Sequence, residues 1–261
     1  MRKQPIKWRT KMKPLSSNEV NKFANENIVN FHKKRISSLE RLKLTKLLKK
    51  NPYLFRAKNI QTAGELMNGL LDAFLSSSEE KLFGDFLEDL AVFIASKTCD
   101  GHKSTAPGVD LEFVNKGIHY IVSVKSGPNW GNSSQQNKLE EDLQKAARRV
   151  KQSRLGKNVQ PILGICYGKT RTNYLRSYLK VVGQNFWYLI SENKNLYTDI
   201  IEPVGYRAKE HNESFYKEKA KVVNLFTRKF ISEFCNDDGA INWIKLVEYN
   251  SGNYDLHKFI S

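Results

Sequence analysis

The stretch GVDLEFVNKGIHYIVSVKSG, residues 108–127, decides the fold. Two short runs of strand-forming residues flank the tripeptide NKG at residues 115–117, which has the composition of a tight turn. The stretch therefore predicts an antiparallel β-hairpin. Because side chains alternate between the faces of a strand, Ser123 and Lys125 share one face of the second strand. The hairpin is expected to bring Asp110 of the first strand next to Lys125.

The segments around the hairpin predict the order helix, strand, strand, helix, strand. An amphipathic helix is predicted near residues 62–76, and Ser77 and Glu80 have the spacing of a capping box that begins a further, largely buried helix. After the hairpin, a helix is predicted over about residues 135–154, with apolar residues on one side and charged residues on the other. VQPILGICYG, residues 159–168, then predicts a short central strand. This order of helices and strands predicts an α/β fold.

The two ends of the chain are predicted mainly helical. Residues 17–50 have apolar residues at helical spacing, and Pro52 is expected to end that helix. NFWYLIS, residues 185–191, is an apolar run that suggests another strand. A short helix is predicted for residues 195–205 and a long one for residues 212–234.

The charge of the chain favours a polyanionic partner. Lys and Arg number 43 against 27 Asp and Glu, which gives a net charge of +16 over 261 residues. Nucleic acid is the leading candidate and an anionic membrane surface the second. No run approaches the about 20 apolar residues of a membrane span, and the first 14 residues lack the apolar segment of a secretion signal, so a cytoplasmic location is expected.

The cysteines do not indicate a metal or disulfide framework. Cys99, Cys166 and Cys235 are odd in number, widely separated and without paired Cys or His spacing. This pattern argues against zinc and against a set of disulfides.

Asp110 and Lys125 are the residues best suited to chemistry. A carboxylate can hold a hard divalent cation, and an ammonium group beside it can offset the charge of a phosphate or help to generate hydroxide. Glu88 is a second acid, the odd member of the buried helix that precedes the hairpin. A plain cross-strand ion pair on a surface hairpin explains Asp110 and Lys125 as well, and both interpretations stay open at this point.

In this context the chain resembles the PD-(D/E)xK nucleases, and more closely the Type II restriction endonucleases among them. The resemblance is carried by SSSEEKLFGDFLEDLA (76–91), GVDLEF (108–113), YIVSVKSGPNWGNSSQ (120–135) and INWIKLVEYNSGN (241–253). It implies a mixed sheet flanked by helices, in a restriction-endonuclease-like core of helix, hairpin, helix and strand. It also implies Mg²⁺-dependent cleavage of double-stranded DNA by a homodimer that reads a short, often palindromic site.

The resemblance assigns the metal-binding aspartate to Asp110 and the family's lysine to Lys125. The middle acidic position is Ser123 in this chain. Some relatives that cut CCGG-type sites have serine there and recruit a carboxylate from the following helix. Further metal ligands are therefore expected from Glu88, or from Glu140 and Glu141. The catalytic set implied is Asp110, Lys125, Ser123 and Glu88.

Two loops offer groups that can contact DNA. The segment after Lys125 lacks arginine and looks more like enzymes directed at GGNCC-type sites, which implies a G/C-rich target. Amide, hydroxyl and indole groups suited to bases or phosphates are carried by Asn129, Trp130, Asn132, Ser133, Ser134 and Gln135. Ser133 and Ser134 are better explained as the N-cap of the next helix. Downstream, the candidates are Lys169, Arg171, Asn173 and Arg176, for which a solvated loop is an equal alternative.

The sequence thus predicts a Type II restriction endonuclease. Residues 1–76 are expected to form a helical region for dimerisation or DNA contact, and residues 77–261 the nuclease domain. One alternative is a repair or junction-resolving nuclease on the same core. The other is a basic DNA-binding protein without catalysis, which Ser123 favours.

Overall fold

The structure is a computed structural model that describes residues 12–153 and 158–260. Its chain divides into two compact units. The sheet unit comprises the described residues of 1–31 and 83–206, and the helical unit comprises those of 32–82 and 207–261.

The helices are α1 (Ser17–Glu40), α2 (Leu44–Leu47), α3 (Pro52–Ala57), α4 (Ala63–Cys99), α5 (Ser133–Gln152), α6 (Gln184–Ser191), α7 (Leu196–Asp199), α8 (Ile201–Val204), α9 (Ala208–Phe234), α10 (Trp243–Ser251) and a 3₁₀ helix (Leu256–Lys258). The strands are β1 (His102–Lys103), β2 (Leu111–Asn115), β3 (Ile118–Lys125), β4 (Val159–Ile165), β5 (Asn173–Leu175) and β6 (Tyr178–Val182).

The predicted hairpin forms the start of a six-stranded mixed sheet with the order β1-β2-β3-β4-β6-β5. β2 and β3 pair antiparallel through a two-residue turn, where Lys116 and Gly117 have φ values of 50° and 76°. Positive φ at both central residues is the geometry of tight hairpin turns, and glycine adopts it without steric cost. β3, β4 and β6 run parallel, whereas β1 and β5 are antiparallel edge strands. The predicted α/β fold with a mixed sheet is confirmed.

Helices cover both faces of the sheet because the central strands are apolar on both. On one face Val122 and Val124 belong to a core shared with Phe86 and Leu90 of α4. The opposite face of β3 shares a second core with the apolar side of α5, which includes Leu143. Two-sided burial is what the apolar run at β4 predicts. Ser123 and Lys125 therefore lie on the α5 side of β3.

The helix start predicted at Ser77 is wrong. Residues 63–99 form one continuous helix, and the Ser77 hydroxyl donates to the carbonyl oxygen of Ala73, one turn earlier. A serine inside a helix can satisfy its hydroxyl in this way, so capping-box spacing alone does not locate a helix end.

Three further segments differ from the prediction. The helix predicted for residues 17–50 is interrupted: α1 ends at Glu40 and the short α2 follows. Pro52 begins α3 rather than only ending a helix, since the Asn51 side chain caps that helix and proline is well suited to a first turn. Residues 185–191 lie in helix α6 rather than in a strand, with Phe186, Trp187 and Ile190 buried on one side.

The division into residues 1–76 and 77–261 stays a prediction. Helices α1 and α4 each begin in one compact unit and end in the other. Residues 207–260 at the carboxyl end join residues 32–82 in the helical unit. No helix in the described part of the chain is long and apolar enough to span a membrane.

The helical unit contains a buried polar cluster around His32. The His32 ring stacks on His211 with centroids 4.4 Å apart, and its Nδ1 lies 3.2 Å from Nη1 of Arg35. Arg35 also donates to Glu79 at 2.7 Å. Burial, followed by the neighbouring His211 and Arg35, lowers the pKa of His32 from 6.5 to about 4. The ring is therefore neutral in the folded protein at neutral pH.

We expect the protein to lose stability as the pH falls from about 6.5 to about 4. In this window the unfolded chain takes up a proton on His32 that the folded chain does not, so the free energy of unfolding falls as pH falls. Urea unfolding between pH 7.5 and 4.5 measures the effect. His32→Gln should flatten the curve in that window, whereas His257→Gln, at an exposed position, should not. Equal pH dependence of all three proteins would contradict this assignment.

Candidate active site

The site lies at the edge of the sheet where the parallel strands end. Lys125 is the last residue of β3 and is in register with Ile165 of β4, which is in register with Val182 of β6. The carboxyl ends of parallel strands in an open α/β sheet are where such folds place their ligands. Asp110 comes directly before β2 and is tied to this edge by its backbone N–H, which donates to the Val122 carbonyl at 2.9 Å.

The Asp110 carboxylate is held in one orientation by β3. Its Oδ2 accepts a hydrogen bond from the backbone N–H of Val124 at 2.6 Å and one from the Ser123 hydroxyl at 3.2 Å. The side chain is 19% exposed. A carboxylate fixed by two donors keeps lone pairs for another ligand while losing little orientational freedom when that ligand binds.

Lys125 lies beside this carboxylate, as the hairpin predicts. Its Nζ is 3.7 Å from Oδ2 of Asp110 and donates to the Val124 carbonyl at 2.9 Å. The same ammonium lies 5.9 Å from the centroid of the Trp130 ring, at the outer limit of a cation–π contact. The side chain is 31% exposed, so solvent or a ligand can reach it.

Ser123 is 1% exposed and faces Asp110. It occupies the position where the resemblance leads one to expect an acid. In the structure its contact is a hydrogen bond to the Asp110 carboxylate, so its geometry is that of a residue that positions Asp110.

Glu88 of α4 is the other acid in this electrostatic environment. One turn earlier, α4 lies near the strand end at Gly84, where an added Cβ would make an ordinary contact with Oγ of Ser126 at 3.7 Å. Burial, and then the negative charge of Asp110, raise the pKa of Glu88, while Lys103 and Lys125 lower it. Lys103 Nζ lies 3.2 Å from Glu88 Oε1. The pKa of Glu88 thus responds to the charges of both Asp110 and Lys125.

The structure does not bring Glu140 or Glu141 to the strand ends where Asp110 and Lys125 lie. Glu140 Oε1 accepts a hydrogen bond of 2.8 Å from Ser177, next to the first residue of β6 and hence away from the strand ends. Glu141 is exposed and lies 3.6 Å from Lys145. Successive positions on a helix point in different directions, and these two do not lie on the side of α5 that faces the sheet.

Asp142 is an acid that the sequence analysis missed. It lies on the buried side of α5 together with Leu139, Leu143 and Ala146, and Lys138 contacts it at 2.9 Å. The signal was present in the sequence, since an aspartate at positions i+3 from Leu139 and i−4 from Ala146 interrupts an apolar stripe.

An open cavity of about 330 Å³ connects Asp142 to the catalytic candidates. Ser123, Lys125, Trp130 and Asp142 are among its lining residues. Gly108 also lines it, has a φ of 72°, and leaves space for Asp142, whose Cβ would lie 2.7 Å from a Cβ added at that position. The cavity is thus an approach to Lys125 from the α5 side of the sheet.

The loop after Lys125 has a different capping arrangement from the predicted one. The N-cap of α5 is Asn132, which exchanges hydrogen bonds with Gln135 in a capping box. Ser133 and Ser134 are exposed residues of the first turn, so their prediction as the N-cap is wrong. Asn132 takes that role because its side-chain oxygen reaches the backbone N–H of Gln135. Asn129, before the cap, is exposed.

The downstream candidates are divided between two positions. Lys169 and Arg171 are exposed in the loop that follows β4. Asn173 begins β5, and Arg176 lies in the turn between β5 and β6, at the end of β6 opposite to Val182. The structure therefore groups Lys169 and Arg171 near the strand ends and leaves Arg176 away from them.

The chain matches a known protein family. The sequence model of the family described as Type II restriction endonuclease EcoO109I matches residues 18–212, about three quarters of the chain. A search of curated proteins found no match. The matched range includes Glu88, Asp110, Ser123 and Lys125.

Proposed function

Because the chain belongs to the family of the Type II restriction endonuclease EcoO109I, we propose that it cuts double-stranded DNA at a short, G/C-rich palindromic site. The proposed reaction is Mg²⁺-dependent hydrolysis of a phosphodiester bond in each strand by a cytoplasmic homodimer. The observation that carries it is the oriented carboxylate of Asp110, with the ammonium of Lys125 3.7 Å away at the edge where the parallel strands end.

The donor groups fit a magnesium ion. Among residues 12–153 and 158–260, no group of three His, Cys, Asp or Glu side chains gathers into a metal site. Mg²⁺ keeps several waters and usually takes only one or two carboxylates together with substrate phosphate oxygens. Asp110 and Glu88 supply two carboxylates, and the Val124 carbonyl beside Lys125 adds a neutral oxygen. We assign the metal to these groups.

Each residue has its own part in hydrolysis. When held by Asp110 and Glu88, Mg²⁺ would supply a Lewis acid for the phosphate and would make water at the site more acidic. Lys125 offsets charge on the scissile phosphate and orients the attacking water, while Ser123 and Val124 hold the Asp110 carboxylate in place. The water oxygen forms a bond to phosphorus and one P–O ester bond breaks. The departing oxygen receives a proton that comes from the attacking water. The products are a phosphate monoester and a hydroxyl group.

The contacts to DNA are assigned to two exposed segments. Lys169 and Arg171 follow β4, and the segment from Asn129 to Gln135 follows Lys125. Arginine can bond guanine through two parallel hydrogen bonds, and amides and hydroxyls suit adenine or phosphate. Trp130 lies close enough to Lys125 to stack against a base or sugar that enters the cavity.

Incubation of the purified protein with unmethylated plasmids and Mg²⁺ tests the function. Discrete fragments that disappear when EDTA is added are expected. A smear, or cutting that depends on branched DNA, would instead support a repair or junction-resolving nuclease. Salt-sensitive binding without cutting on varied substrates would contradict the proposal and favour a DNA-binding protein, for which the serine at position 123 is the best argument.

Glu88→Gln should raise the Mg²⁺ concentration needed for half-maximal cleavage. The change removes one of two anionic ligands at nearly constant size, and we expect an increase of about tenfold or more. Mn²⁺ binding measured by calorimetry without DNA should weaken in parallel. Glu141→Gln is the matched control, because it makes the same charge change at an exposed position of α5.

Unchanged metal dependence in Glu88→Gln would remove Glu88 from the site. If the same shift appears in Asp142→Asn instead, the second carboxylate comes from α5. If it appears in Glu140→Gln, the interpretation taken from the CCGG-type relatives holds despite the Ser177 contact.

A further inference from the structure

The helical unit contains a large basic cavity that is distinct from the candidate active site. Its volume is about 670 Å³, and all of its lining residues lie between positions 34 and 82. Five of them are cationic: Lys34, Arg41, Lys46, Lys50 and Lys81. None of the lining residues is acidic. We call this feature the basic cavity.

Two walls of the basic cavity are helix segments whose lining residues have the same spacing. Lys34, Ser37, Ser38 and Arg41 occupy positions i, i+3, i+4 and i+7 along α1 and the residue that follows it. The second wall repeats this spacing over residues 74–81 of α4, with two serines at the same central positions and Lys81 at the end. Residues so spaced share one helix face. Small hydroxyl side chains therefore occupy the middle of each wall, and cations occupy both ends of the first wall and one end of the second.

The cations of the basic cavity are not neutralised by neighbouring acids. Within the described parts of the chain, none of the five forms an ion pair with a carboxylate. The nearby Glu79 is bound by Arg35 at 2.7 Å. Lys46 lies over the Phe74 ring, 4.9 Å from its centroid, which holds the ammonium without cancelling its charge. Grouped like charges repel one another, and a bound polyanion relieves that repulsion.

We propose that the basic cavity binds the phosphate backbone of the DNA duplex as a second contact surface. Lysine, arginine and serine are typical donors to phosphate oxygens, and the lining has no Asn, Gln, Asp or Glu side chain that could read adenine or cytosine. The cations come from three separate segments and surround an open space, as needed for successive phosphates of a strand. The choice of duplex DNA as ligand rests on the proposed function. The cavity would thus contribute affinity and salt dependence without sequence preference.

The test compares two triple variants of the full chain. The cavity variant combines Lys46→Gln, Lys50→Gln and Lys81→Gln. The control variant combines Lys33→Gln, Lys49→Gln and Lys229→Gln, which removes the same charge from exposed positions of the same unit outside the cavity. Binding to a 30-bp duplex is measured in EDTA, so that no cleavage occurs, at salt concentrations between about 50 and 200 mM.

The cavity variant should bind the duplex about tenfold or more weakly at intermediate salt, with the slope of log K against log salt reduced by about 0.9 for each phosphate that it no longer neutralises. The control variant should keep the wild-type slope within about 0.5. Matching thermal unfolding of the two variants shows that the weaker binding is not a folding defect. Equal slopes in the two variants would overturn the proposal, and so would an absence of duplex binding by the wild type. Dissociation of an oligomer with an unchanged slope would also overturn it, because the cavity would then serve an interface between copies.

Binding and cutting are scored separately, so the two proposals fail in different ways. If the wild type binds DNA with a slope that depends on the basic cavity but never cuts, the proposed function fails and the cavity assignment holds. If the wild type cuts DNA and the two triple variants bind alike, only the cavity assignment fails.

Discussion

Asp110→Asn is expected to reduce the rate of DNA cleavage by about 10³-fold or more, the scale of several kcal/mol of transition-state stabilisation. The amide keeps an oxygen that can accept from Val124 and Ser123, so the strand end should keep its geometry. It lacks the negative charge that holds a hard cation. Cleavage is measured under single-turnover conditions with saturating enzyme, and duplex binding is measured in EDTA.

The control for Asp110 is Asp89→Asn, an exposed aspartate of α4 in the same unit. It should cleave within about threefold of the wild type, because a charge change at an exposed position alters the site little. Duplex binding by Asp110→Asn should be equal to or tighter than that of the wild type, since a negative charge is removed from beside the phosphate. Near-normal cleavage by Asp110→Asn would exclude the proposed metal site.

Lys125→Met is expected to reduce cleavage by about 10²-fold or more, within the range of a positioned group that assists proton transfer or charge stabilisation. Methionine keeps much of the side-chain length and can still pack near Trp130, but it loses the ammonium that lies 3.7 Å from Asp110. The defect should appear in the maximal rate. The Mg²⁺ concentration for half-maximal cleavage should not rise, in contrast to Glu88→Gln.

Lys116→Met is the matched control for Lys125. Lys116 lies on the same hairpin, at the turn far from the strand ends, and its side chain is 65% exposed beside Glu192. It should leave the rate of cleavage near that of the wild type. A purely structural role of Lys125 would give a lowered unfolding midpoint with normal cleavage of the folded fraction. That result would support the plain cross-strand ion pair.

The hairpin was predictable because its signals are local. The turn at residues 115–117 and the alternation on either side determine the register, and that register brings Asp110 and Lys125 together. The run at residues 185–191 lacked such a signal. A short apolar run with aromatic residues suits a strand or a buried helix equally, and the helix forms here with Phe186 and Trp187 fully buried beneath it.

Local sequence patterns did not predict which acids lie near Asp110 and Lys125. Glu140, Glu141 and Asp142 are consecutive, yet each has a different environment: a serine near β6, a lysine on the surface, and the cavity beside Lys125. Successive residues of a helix differ by about 100° in direction, so one step decides which acid faces the sheet. The number of residues between Lys125 and an acid of α5 does not say in which direction that acid points.

The sequence by itself determined the order of helices and strands, the hairpin and the pairing of Asp110 with Lys125, because each of these follows from residue patterns within about 20 positions. Only the tertiary structure decided that Glu88 shares the environment of Asp110, that Asp142 lines the approach to Lys125, and that five cations gather in the basic cavity. Those arrangements depend on how helices rotate and pack against distant parts of the chain, and packing is settled by the whole core rather than by any one segment.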